Sequence, residues 1–157
     1  MAKFSGNNSA GTHQAITSTY KTLIQVTAQT TSLKRGKLYD ITFGTLGTPA
    51  DQSYEWDVSR CTALGTGGTT PVAAPLDPAD AAAFTVVTVD CTAEGTFTAA
   101  TSQLYIAANQ RASYRWVAAP GSELVWPATN TNGFGLRTRS VSGGTATASA
   151  QFLFEEQ

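Results

Sequence analysis

The chain's pattern predicts an all-β protein folded as a two-layer sandwich, and three observations carry that reading. Apolar side chains recur with period two in one segment after another. Clusters of Gly, Pro, Asn and Ser break these segments at short intervals. Only one stretch carries any helix signal. The 157 residues fit one domain, long enough to bury a core without metal or disulfide staples. Charged residues make up 13% of the chain, against roughly 25% in an ordinary soluble domain. Thr, Ala, Ser and Gly fill the difference. Thr suits a pleated surface, where its β-branched side chain packs well.

Taken in order, residues 1–18 read as a flexible arm, rich in Gly, Asn, Ser and Thr and without periodicity. The single domain is then 19–157. Tyr20 to Thr27 alternates, with Tyr20, Thr22, Ile24 and Val26 on one face. Lys34-Arg35-Gly36-Lys37 follows as a solvated hairpin loop. Leu38 to Thr45 places Tyr39, Ile41 and Phe43 together and is closed by Gly44, Gly47 and Pro49. Tyr54 to Cys61 sets Tyr54, Trp56 and Val58 against Glu55, Asp57 and Ser59. From Gly65 to Pro78 the chain is loop, and Asp77-Pro78 before Ala79 predicts an N-cap with Pro at the first position of one or two helical turns.

Strands resume at Phe84 to Thr92, Thr96 to Thr98, Gln103 to Ala107, Arg111 to Ala118 and Glu123 to Trp126. Phe134 to Val141 and Thr145 to Phe154 flank Ser142-Gly143-Gly144, which predicts a closing hairpin. About nine short strands with such turns predict a jelly-roll-like β-sandwich with at most one short helix. The alternative is an immunoglobulin-like sandwich, whose Cys…Trp…Cys order is missing because no Trp lies between Cys61 and Cys91.

The composition argues against several functions. Net charge is −1, so no basic stripe favours nucleic acid. No stretch approaches the about 18 apolar residues of a membrane span, and the N-terminal residues lack the apolar region of a secretory signal. Synthesis in a cytosol with Cys61 and Cys91 as reduced thiols is therefore expected. His13 is the only histidine and lies in the arm, where a general base lacks fixed partners. Glu55 and Asp57 project from one strand face at a spacing that glycoside hydrolysis permits, but two solvated carboxylates on a half-buried strand are the plainer reading. Gly65-Thr66-Gly67-Gly68 lacks the Lys of a phosphate-binding loop. The expectation is a protein that is not an enzyme, with no cofactor and no metal. Trp56 and Trp116 belong to alternating apolar faces and are assigned to the core, whereas Trp126, beside Pro127, is expected at the surface.

Two stretches bear a family likeness. One is Tyr54-Glu55-Trp56-Asp57-Val58-Ser59-Arg60, followed by Pro75-Leu76-Asp77-Pro78. The other is Tyr114-Arg115-Trp116-Val117-Ala118-Ala119-Pro120-Gly121-Ser122-Glu123-Leu124, continuing to Asn132-Gly133-Phe134-Gly135-Leu136-Arg137 and a Thr/Ala-rich final strand. Together, over the last two-thirds of the chain, they resemble the capsid decoration (cement) proteins of tailed bacteriophages. That resemblance implies a jelly-roll body, often a trimer, seated on the virion surface over junctions of the major capsid protein. Phe4, Asn7 and His13 of the arm and Trp126 are then the candidate partner-contacting residues. A low-charge surface agrees, because charge is depleted at the centre of protein interfaces. The alternative is a carbohydrate- or receptor-binding module on the virion, motivated by Trp126, Tyr105 and the loop 65–75.

Overall fold

The computed structural model describes residues 1–48 and 50–157; Pro49, expected to close a strand, lies outside the described residues. Eleven strands are present among them: β1 (Lys3–Asn7), β2 (Lys21–Thr27), β3 (Gly36–Leu46), β4 (Ser53–Ala63), β5 (Ala74–Pro75), β6 (Val86–Val89), β7 (Thr96–Asn109), β8 (Ser113–Val117), β9 (Leu124–Trp126), β10 (Gly133–Ser140) and β11 (Thr147–Glu156). One sheet runs β5-β1-β11-β3-β8, with β9 continuing the β8 edge along β3, and the other runs β6-β2-β10-β4-β7. Every pairing is antiparallel. Without the short β5, β6 and β9, the layers are β1-β11-β3-β8 and β2-β10-β4-β7. The chain changes layer at each step except from β4 to β7. This is the jelly-roll winding, and it is not the immunoglobulin order.

Inward side chains of both layers fill the core. Phe43 meets Trp56 with ring centroids 4.6 Å apart, and Phe4 stacks on Phe154 at 5.7 Å. Trp126 meets Phe154 edge-on at 5.7 Å. Gly36 lies against the Trp126 indole where a Cβ has no room, which lets β9 close over the end of β3.

Several expectations are corrected. The arm is not free over its length, since residues 3–7 form a strand between β5 and β11. Phe4 is buried in the core, and Ile16 is bonded to the Ala146 carbonyl. Trp126 is 1% exposed, because β9 turns its indole between the layers. The expected helix is a turn: the Asp77 carboxylate accepts the Ala79 N–H at 2.9 Å and its carbonyl accepts the Asp80 N–H at 3.0 Å. That bonding satisfies the N-cap, but no apolar face follows to hold a helix down. The two final strands do not pair as a hairpin. Residues 16–17 enter between them, with the Ser140 N–H donating to the Thr17 carbonyl and the Ile16 N–H to the Ala146 carbonyl, so the Gly turn carries the chain across to the other layer. The Lys34–Lys37 segment likewise crosses between layers, from β2 to β3.

Candidate functional site: the open side of the sandwich

The carboxylates weighed for hydrolysis are committed to arginines. On the outer face of the β2-β10-β4-β7 sheet, Arg139 Nε donates to Glu55 Oε2 at 2.5 Å and Arg137 Nε to Asp57 Oδ2 at 2.6 Å. Both Asp57 oxygens also accept from the Ser59 hydroxyl. The Arg137 guanidinium sits between the Tyr20 and Phe97 rings, 4.6 Å from each centroid. The hydrogen bond from Arg139 holds the Glu55 carboxyl below its ordinary value, opposite to what a general acid requires. This network clamps β4, β7 and β10 together across the sheet.

A second cluster explains the N-terminal segment. Asp90 is buried and left-handed, at φ 52°. Its carboxylate accepts the Asn8 side-chain amide and the His13 backbone N–H, each at 3.2 Å. The His13 ring stands 3.8 Å from the same carboxylate. Asn8 also donates to the Ala148 carbonyl and accepts the Ala150 N–H, so residues 8–13 are strapped across both layers. Asn7 and His13 thus come together beside Gln151 and Thr42 at an open groove of about 460 Å³, while Phe4 and Trp126 are in the core. Cys61 and Cys91 are buried free thiols. No group of three or more metal-ligating side chains occurs among the described residues.

The least covered part of the molecule is the side bounded by β7 and β8, the terminal strands of the two sheets. The opposite side is blunted. There β5 is two residues long, and the outer edge of the four-residue β6 is met at Val89 by Thr69, which exchanges both backbone hydrogen bonds with it. Among the described residues, the β7 edge has no such cover. The Gln110 N–H donates to the Gln52 carbonyl at 2.8 Å and fixes the phase of the ladder with β4. Bonded pairs alternate in an antiparallel ladder, so Ala108, Ile106 and Leu104 spend their backbone groups on Tyr54, Trp56 and Val58. Tyr105 and Ala107 turn theirs to the open edge. On β8 the Ala118 N–H donates to the Tyr39 carbonyl, which leaves Ser113, Arg115 and Val117 facing outward in the same way.

Between the two edges, Leu104, Ile106, Tyr114 and Trp116 point inward yet are only partly buried. Tyr114 stacks on Phe43 at 6.0 Å, so this row continues the core to the surface. No residue of Thr96–Asn109 carries a charge. Natural edge strands are commonly guarded by Lys, Pro or bulges. The first half of β7 has such guards, a register shift beside Gln103 and a left-handed Ala100 at φ 57°. The second half, from Leu104 onward, has none. Sequence reading missed this surface: it found Tyr105 and Trp116 as strand residues, but edge position is decided by pairing with distant strands. No protein-family model, curated protein or solved structure matches the chain.

Proposed function

We propose that the protein is a structural, non-enzymatic component of a virion, one that binds the outside of a tailed-phage capsid and stabilises contacts between major capsid protein subunits. The observation that supports this reading best is the open side: an unguarded, uncharged strand edge above a half-buried apolar row is a surface suited to cover by another protein chain. The resemblance in Tyr54–Arg60 and Tyr114–Leu124 supplies the kind of assembly. Self-association belongs to the same reading, and the family likeness implies three copies. The mechanism is additive. Many weakly ionic contacts, each cheap to desolvate, tie neighbouring shell subunits and raise the force needed to part them. Of the features behind the sugar-binding alternative, Trp126 is in the core and offers no stacking face, while Tyr105 is exposed. The test is thermal rupture of phage heads with and without the protein, followed by DNA-dye access. A higher rupture temperature with the protein bound is expected; equal temperatures, or failure to bind heads, overturn the reading.

A further inference from the structure

We propose that the cleft between the two layers beside Trp126 binds a small organic carboxylate with an apolar, ring-sized body, held through Arg60. None of the residues lining this cleft belongs to Leu104–Asn109, so the site is separate from the open edge and stands whether or not the capsid reading does.

The cleft lies where the layers part at one end of the sandwich. Val125 and Trp126 of β9 line it from one sheet, and Arg60 of β4, Phe134 of β10 and Thr98 of β7 from the other. Its volume is about 230 Å³. That is below the about 300–1,000 Å³ of pockets for drug-sized ligands, yet above the about 150 Å³ that admits a benzene ring. Its charge has one sign, because no Asp or Glu lines it. Arg60 continues the alternation of Tyr54, Trp56 and Val58, which face the core, and it pairs opposite Phe134 with its guanidinium 6.0 Å from that ring. Among the described residues Arg60 has no carboxylate partner, whereas Arg111, Arg115, Arg137 and Arg139 each have one. A guanidinium fork takes a carboxylate through two parallel hydrogen bonds. Other donors of the wall are unspent as well. The Trp126 Nε1–H is buried without an acceptor. Asn132 spends its backbone groups on Ala28 and Thr129, and among the described residues its side-chain amide is unbonded. Free donors in a wall without acids favour a ligand that accepts. The rim is also strained: Ala100, between Thr98 and Thr101, and Thr131, beside Asn132, are left-handed at φ 57° and 59°. Such a backbone is unfavourable for a β-branched residue, and strain of this kind collects at ligand-holding sites.

The experiment is titration of the full, nitrogen-labelled chain with benzoate at neutral pH, read at the Trp126 indole N–H resonance, which its contact with Gly36 assigns. A saturable shift with a Kd of about 1 mM or below is expected. Benzamide, alike in shape but neutral, is expected to bind at least about tenfold more weakly, and so is benzoate to Arg60→Gln. Arg60 is exposed, so the substitution keeps the fold, which an unchanged amide spectrum away from the cleft checks. Arg111→Gln, which removes a surface ion pair with Asp51, is expected to keep the wild-type affinity. Absence of a saturable shift with benzoate overturns the inference. Equal affinity for benzamide, or undiminished affinity in Arg60→Gln, overturns it too, since the charge then plays no part. A short peptide that saturates the cleft through its terminal carboxylate where benzoate does not also overturns it, and assigns the cleft to a protein chain. The rupture temperature of phage heads is a separate readout, so failure here leaves the capsid reading standing.

Discussion

Asp90 is the residue on which the first part of the chain hangs. Its left-handed backbone turns a carboxylate inward to meet the Asn8 amide and the His13 N–H. Asp90→Ala strands both donors in a buried site and puts a Cβ residue without a side-chain bond at positive φ. The expected loss is about 2–4 kcal/mol, read as a lower urea midpoint at constant slope. Asp90→Asn keeps an acceptor and tolerates the left-handed backbone, so its loss is smaller. The two thiols give a second expectation at this scale. Burial pushes Cys61 from an ordinary 9.0 up to about 12, and Cys91 up to about 11. Above pH 9 an unfolded thiol loses its proton while the folded one keeps it, so the unfolded state binds fewer protons and stability falls as pH rises. The stabilisation is whole below pH 9 and declines from there to about 11 for Cys91 and about 12 for Cys61, at a slope of at most about 1.4 kcal/mol per unit for each thiol. Urea unfolding at pH 8, 9 and 10 checks the sign, and a disulfide reagent at pH 8 is expected to titrate the thiols only after unfolding.

At the scale of elements, β1 shows what the sequence hides. Lys3-Phe4-Ser5-Gly6-Asn7 carries one large apolar residue in five, too little for a period to register. Its order comes from β11 and β5, which lie far along the chain. The longer strands were legible because four to six alternating positions repeat, as in Tyr54–Cys61, observed as Ser53–Ala63. Partnership was not legible. Gly143-Gly144 reads as a hairpin turn, yet the insertion of Ile16 and Thr17 sends the flanking strands to different layers. The same limit hid the open side, since nothing local to Leu104–Asn109 says that no strand lies beyond it. Glu55 and Asp57 were correctly placed on one face, but their arginines come from β10, some eighty residues on. The integral place of β1 has a consequence. Phe4→Ala is expected to cost about 3–5 kcal/mol, as for a buried aromatic ring, and removal of residues 1–8 to abolish the cooperative thermal transition. A free arm would leave both measurements unchanged.

At the scale of the whole molecule, the low ionic content sets how the protein meets a partner. Several of its few charges are paired with one another: Arg115 grips Asp40 through two nitrogens, Arg137 and Arg139 hold Asp57 and Glu55, and Arg111 pairs with Asp51 at the surface. Along β7, what faces outward is hydroxyl, amide, methyl and free peptide. Raising the salt from about 0.05 to about 0.5 M shortens the Debye length from about 14 Å to about 4 Å, which weakens contacts built on ion pairs and spares those built on apolar burial and backbone bonds. Under the proposed capsid role, binding to phage heads is therefore expected to change by less than about threefold in Kd over that range, and association rates are expected to lack the steep salt dependence of electrostatic steering. Sulfate, which strengthens burial of apolar surface, is expected to tighten binding where chloride leaves it level. Titration of heads with labelled protein in the two salts separates the cases, because a contact carried by charge loses affinity in both.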